Sequence, residues 1–219
     1  MKTIDRKDWE KEQRKNRIVD IAQEIFFRKG FESATMEDIA SAAGYNQRTV
    51  YLYFKDKQDL FLAVVLRGLK ILNSMLKDAF DSPEKKYPKI IELGRAYFNF
   101  FIRHPEYFDL IMAYESKTCI YYKKAQDEEN GYFKTECQKA TDESADIITK
   151  AIKDAIKNNI IKTSLSPRQV MLILWGQIFG VTQIVLMRKE FFEDAYGITH
   201  EDLFSHFINL AEKALMIEF

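Results

Sequence analysis

The chain has 219 residues, 47% of them hydrophobic and 30% charged, a balance that excludes disorder and leaves room for one large or two modest domains. Formal net charge is zero, and residues 1–60 carry 12 Lys/Arg against 11 Asp/Glu, so no basic field announces a nucleic acid and any such reading must rest on a motif. Only residues 1–17 lean positive, with 7 basic side chains against 4 acidic. Cys119 and Cys137 have no metal-ligand spacing and are too few to frame a chain of this size, so both read as reduced thiols of a cytoplasmic protein. The charged N-terminus does not read as a signal peptide.

Apolar residues recur with helical period throughout, and no stretch alternates as a strand, so the expected fold is all-α. A first helix is expected over about Asp8–Arg28, on the stripe Ile18, Ile21, Ala22, Ile25 and Phe26, with Gly30 as its stop. Thr35 reads as the N-cap of a second helix, and Asp38 completes a capping box with Asp in place of Glu. Met36, Ile39, Ala40 and Ala43 are its inner face, and Gly44 breaks the chain. Asn46 then caps a short third helix with Val50 and Phe54 inward, and Asp56 caps a fourth with Leu60, Phe61 and Val64 inward. Later helices are expected over about Glu84–Arg103, Pro105–Glu115 and Tyr132–Asn158, then from Ser166-Pro167 and from near Thr199. The polar segment Lys117–Asn130 reads as partly loop.

Two short helices joined by a glycine turn, with small Ala40 at the crossing, describe a helix-turn-helix. Its second helix offers Asn46, Gln47, Arg48, Thr49 and Tyr51 outward, a hydrogen-bonding surface suited to a major groove. The stretches Thr35-Met36-Glu37-Asp38-Ile39-Ala40, Ala43-Gly44 and Thr49-Val50-Tyr51-Leu52-Tyr53-Phe54-Lys55-Asp56-Lys57-Gln58-Asp59-Leu60 closely resemble the DNA-binding signature of the TetR family of regulators. Phe26-Phe27-Arg28-Lys29-Gly30-Phe31 is similar to that family's helix end before the motif. The resemblance runs over about Arg17–Leu66 and implies that Thr35, Tyr53 and Lys57 grip phosphates, while Gln47, Arg48 and Tyr51 face base edges. Lys55 completes the candidate DNA contacts. Tyr45, Asn46 and Arg48 depart from the residues usual in the family, which leaves the operator open and points Arg48 toward a guanine.

The expected division is a DNA-binding domain over 1–59 and a helical effector-binding and dimerisation domain over 60–219. The second part is rich in aromatics. Tyr97, Phe98, Phe101, Tyr107, Phe108, Met112, Tyr114, Trp175 and Phe179 read either as solid core or as the lining of an apolar cavity, and the resemblance favours a cavity for an apolar or aromatic effector. No charge falls between Arg168 and Arg188, a span long enough to cross a membrane. Its Gln177, Thr182 and Gln183, with Gly176 and Gly180, fit better a helix covered by its own core and by a partner subunit. The last two helices are therefore expected to form a homodimer, and the resemblance implies a four-helix bundle between subunits.

The expected function is a ligand-responsive regulator, a repressor released from a near-palindromic operator. The alternative is a DNA-binding or interaction module with a solid core and no effector. An enzyme is not expected, nor a cofactor or metal site, because His104, His200 and His206 stand in no catalytic or ligating pattern and there is no phosphate loop or nucleophile elbow.

Overall fold

The computed structural model describes residues 6–83, 88–121, 131–188 and 191–215, without the side chains of 117–121 and 215. All secondary structure among them is helical: α1 (Arg6–Ser33), α2 (Met36–Ala43), α3 (Gln47–Tyr51), α4 (Lys57–Asp81), α5 (Lys89–Arg103), α6 (Pro105–Tyr121), α7 (Tyr132–Lys157), α8 (Pro167–Met187), α9 (Phe192–Tyr196) and α10 (His200–Leu215). The start expected near Glu84 and the polar stretch 122–130 lie largely outside the described residues, as does the side chain of Cys119. Residues 117–121, read as partly loop, continue α6. The short α9 was not expected; Gly197, at φ 67°, closes it.

The helix ends follow local chemistry. In α1 the helical path breaks at Gly30 (φ 73°, ψ 167°), where the sequence placed its stop. Thr35 Oγ1 accepts from the Asp38 amide at 3.0 Å, and Asp38 Oδ2 accepts from the Thr35 amide at 3.1 Å. This closes the expected capping box and satisfies two amides that a helix start leaves open. Ser166 and Gln169 make the same reciprocal pair at the start of α8, with Pro167 at its first position. Thr199 and Asp202 repeat it before α10.

Packing gathers the chain into two compact units: residues 1–70 with 106–140, and residues 71–105 with 141–219. The N-terminal unit is closed by Ile18, Ala22, Phe26, Ile39, Val50, Phe54, Leu60 and Phe61, all buried. Phe61 meets Phe26 edge-on at 5.9 Å and Phe31 at 4.6 Å. Each such ring contributes about 1.5–3 kcal/mol by leaving water. Cys137 of α7 is buried in the same unit, with its Sγ 3.3 Å from the Leu62 carbonyl. Burial pushes its thiol up to about 12, so it stays a neutral, unreactive thiol.

In the C-terminal unit α5, α8 and α10 pack on one another. Phe98 of α5 stacks face to face on Phe204 of α10, with ring centroids 3.8 Å apart and planes 5° apart. The apolar side chains of α5 are buried except Ile102. Asn73 is buried in this unit, where its amide donates to Glu143 Oε2 at 2.7 Å and its carbonyl oxygen accepts from Ser144. That pairing removes the penalty an unsatisfied buried amide would carry.

Candidate nucleic-acid interface and cavity

Gly44 takes φ 75° and ψ 27°, a left-handed turn that a side chain would strain, and its amide returns to the carbonyls of α2. The turn delivers Asn46, whose Oδ1 accepts from the Thr49 amide at 2.8 Å and from the Thr49 hydroxyl at 2.9 Å. Asn46 and Thr49 therefore hold the start of α3 as well as standing on its surface. Val50 is fully buried and fixes which way α3 faces. Gln47, Arg48 and Tyr51 are exposed, as the sequence reading requires of side chains that reach bases.

One residue of this face was missed. Leu52 is 74% exposed. Its backbone is still helical (φ −71°), so it stands one turn beyond Arg48 and opposite Val50. The signal was present in the spacing, but an aliphatic residue does not attract notice in a search for hydrogen-bonding groups.

The expected phosphate contacts divide. Thr35 is exposed at the N-terminus of α2, and Lys55 is exposed before α4; Tyr53 is half-buried. Lys57 is engaged within the chain. Its Nζ donates to the carbonyls of Phe31 at 2.8 Å, Glu32 at 3.2 Å and Ala34 at 2.9 Å, and it sits 4.5 Å from the centre of the Phe31 ring. An ammonium has three N–H donors, so these acceptors engage all of them. Lys57 thus ties the start of α4 to the carbonyl-rich end of α1, a positioning job rather than a free cation.

Two carboxylates beside this face shift in opposite directions. Asp38 is held below the usual range by the Lys29 ammonium, which donates to it at 2.9 Å, and by its bonds with Thr35. Half-buried Asp59 is raised, because loss of water outweighs the bond it accepts from the Lys55 amide.

The aromatic candidates also separate. Tyr107, Phe108, Met112 and Tyr114 belong to the N-terminal unit. The Tyr107 hydroxyl donates to Gln23 Oε1 at 2.6 Å, and Arg67 donates to the same oxygen at 3.1 Å while pairing with Asp20 at 2.7 Å. The Tyr107 hydroxyl is thus engaged by α1. The C-terminal unit holds an apolar cavity of about 70 Å³. It is walled by α5 (Ile90, Ile91, Leu93, Gly94, Tyr97), by α8 (Met171, Leu174, Trp175, Ile178) and by α10 (Phe207, Ile208, Ala211), with Ile148 of α7. Tyr97 and Trp175 are the sequence candidates that line it. Phe98, Phe101 and Phe179 do not, since Phe98 packs on Phe101 and Phe204, and Phe179 packs on Trp175. The aliphatic lining was missed, because nothing local distinguishes a cavity wall from a core. No group of His, Cys, Asp and Glu that could hold a metal occurs among the described residues.

The profile of the bacterial regulatory proteins of the tetR family matches residues 18–64, which span the second half of α1, α2, α3 and the start of α4. The HTH-type transcriptional regulator SAR2658 of Staphylococcus aureus is 33% identical over 155 residues, covering 70% of this chain and 78% of that protein. The chain belongs to the TetR family of transcriptional regulators. It is a DNA-binding regulator and not an enzyme. With YfiR of Bacillus subtilis, an uncharacterized HTH-type transcriptional regulator, the chain is 37% identical over 59 residues, 27% of this chain but only 29% of that relative. The fold extends further than the sequence likeness: the fatty acid degradation regulator FadR of Bacillus halodurans superposes with a TM-score of 0.64 at 15% identity, over 90% of this chain and 93% of that one.

Proposed function

We propose that this TetR-family regulator is a cytoplasmic homodimeric repressor that holds a near-palindromic operator and releases it when a small apolar or aromatic molecule enters the cavity between α5, α8 and α10. In this reading residues 1–59 read DNA, with Gln47, Arg48 and Tyr51 at base edges, and residues 60–219 bind the effector and the second subunit.

The observation that carries the proposal is that α8 has two different apolar faces. One lines the cavity through Met171, Leu174, Trp175 and Ile178. The other leaves Leu172, Ile173, Ile184 and Met187 exposed, Met187 by 78%. Gly176 and Gly180 share this second face, and a Cβ at either would meet nothing within 4 Å. A glycine inside a helix costs about 1 kcal/mol relative to alanine. Nothing among the described residues uses the room these two leave, which supports close approach by a second copy of α8. Leu210 of α10, 69% exposed, extends the apolar surface. By length and composition α8 could also cross a membrane; its glycines and glutamines favour a protein partner.

The two faces give a route for control. The cavity of about 70 Å³ is small beside the roughly 300–1,000 Å³ of pockets that enclose drug-sized ligands. An effector must therefore part α8 and α10 from α5, and those are the helices proposed to set the dimer. The effector acts only through its preference for the parted conformer, in which the separation of the two reading heads is altered. The apolar walls, and the fold shared with a protein named for fatty acid degradation, put linear acyl chains beside aromatics in the first panel to try. The test is a mobility-shift titration of operator duplex with that panel, alongside thermal melts of the free protein. Release by one class, with a raised melting temperature, supports the reading. The same small volume favours the second reading, a regulator with no effector, which predicts operator affinity and melting temperature unchanged across the panel.

A further inference from the structure

Singly exposed leucines are ordinary, but Leu52 stands in a particular place. Among the described residues of the N-terminal unit the large exposed hydrophobic side chains are Trp9, Tyr51, Leu52 and Tyr132, so Leu52 is the one aliphatic in that set. Its amide donates to the Thr49 carbonyl at 3.2 Å, which keeps it in helical register. Arg48 and Leu52 are therefore neighbours along the line of α3 that points most directly away from buried Val50.

A leucine at this point can neither donate nor accept a hydrogen bond, so it can neither grip a phosphate nor read the polar edge of a base. The major groove offers one apolar group on a natural base pair, the C5-methyl of thymine. Side chains one helical turn apart are separated by about 5–6 Å, between one and two base-pair steps of about 3.4 Å. We propose that Leu52 reads the C5-methyl group of a thymine in each half-site, about one or two base pairs from the pair met by Arg48. This deepens the reading of α3 as the base-reading helix and rests on it.

The test uses the full chain. An operator is enriched from random duplexes by the wild-type protein, and its thymines are then replaced by deoxyuridine in symmetry-related pairs, which removes the methyl alone. One pair is expected to weaken wild-type binding by about four-fold per half-site, the worth of one buried methyl group. Leu52→Ala is expected to bind the thymine and deoxyuridine duplexes equally, with an unchanged thermal midpoint, since the side chain is exposed. Arg48→Ala is expected to retain the thymine preference. If an operator is enriched and no thymine methyl matters, or if Leu52→Ala keeps the preference, the role of Leu52 is overturned while α3 as reader stands. If the wild type enriches no duplex at all, both fall together.

Discussion

The two compact units leave different surfaces open. In the N-terminal unit Leu52 is the one large aliphatic side chain left exposed among the described residues, and the outer face of α3 is mainly polar. Its caps close on themselves: Thr35 with Asp38, Asn46 with Thr49, Lys57 with three carbonyls. In the C-terminal unit α8 leaves a continuous apolar face with two glycines in it, and α10 leaves Leu210. The first unit is complete as a folded body and presents groups for a polar partner; the second presents a surface that water does not favour. The comparison teaches that the reading head can be understood from one chain, whereas the open face of the C-terminal unit is where the proposed second subunit would sit.

The sharpest way to break this contrast is a charge on the open face of α8. Ile173→Asp should dissociate the dimer and weaken operator binding at least 100-fold, because an unpaired buried charge costs about 3–5 kcal/mol; sedimentation and mobility shift read the two effects. The same change on a true monomer would alter neither. Next comes Lys57. Lys57→Met should destabilise the protein by about 2 kcal/mol, since charged donors to three carbonyls are lost. The slope of operator affinity against salt should stay unchanged; a free phosphate contact would instead lower it by about one unit. Asn46→Ala should cost about 1 kcal/mol in thermal stability by uncapping α3, with a further loss of operator affinity. Gly176→Ala should raise the stability of the isolated subunit, by about 1 kcal/mol at most, and yet weaken the dimer by holding the helices apart.

The smallest effects are those of pH. The folded state lowers Asp38, so the stability from its capping box is present above the ordinary carboxylate range and is lost as pH falls through the lowered value. Asp59 has the opposite sign. Its raised folded value disfavours the charged form, so its ionisation weakens the fold as pH rises through that value. Asp59→Asn should therefore raise the melting temperature slightly at neutral pH, and the gain should vanish in acid.

What the sequence made legible were features decided within a few residues. The Thr35 box, the Gly44 turn, the Asn46 cap and the Ser166-Pro167-Gln169 start of α8 each depend on neighbours no more than four positions away, and each stands in the structure. What it hid depends on distant partners. Lys57 reads locally as a free cation because its acceptors lie 23, 25 and 26 residues earlier. Tyr107 reads as a ligand phenol because Gln23 is 84 residues away. The cavity collects side chains from α5, α7, α8 and α10, and periodicity alone does not tell the wall of a small void from a packed core. Leu52 is the reverse case, local yet passed over, because it carries no polar atom.

The central claim is a paired major-groove reader whose pairing is made by α8 and α10. The most direct measurement is the stoichiometry and footprint of the full chain on its enriched operator, by sedimentation together with hydroxyl-radical protection. The account predicts two subunits on a near-palindrome, with half-site centres about 34–36 Å or a multiple of that apart, and an Ile173→Asp chain that no longer occupies both halves. One subunit on a single asymmetric site, unaffected by that substitution, would contradict it.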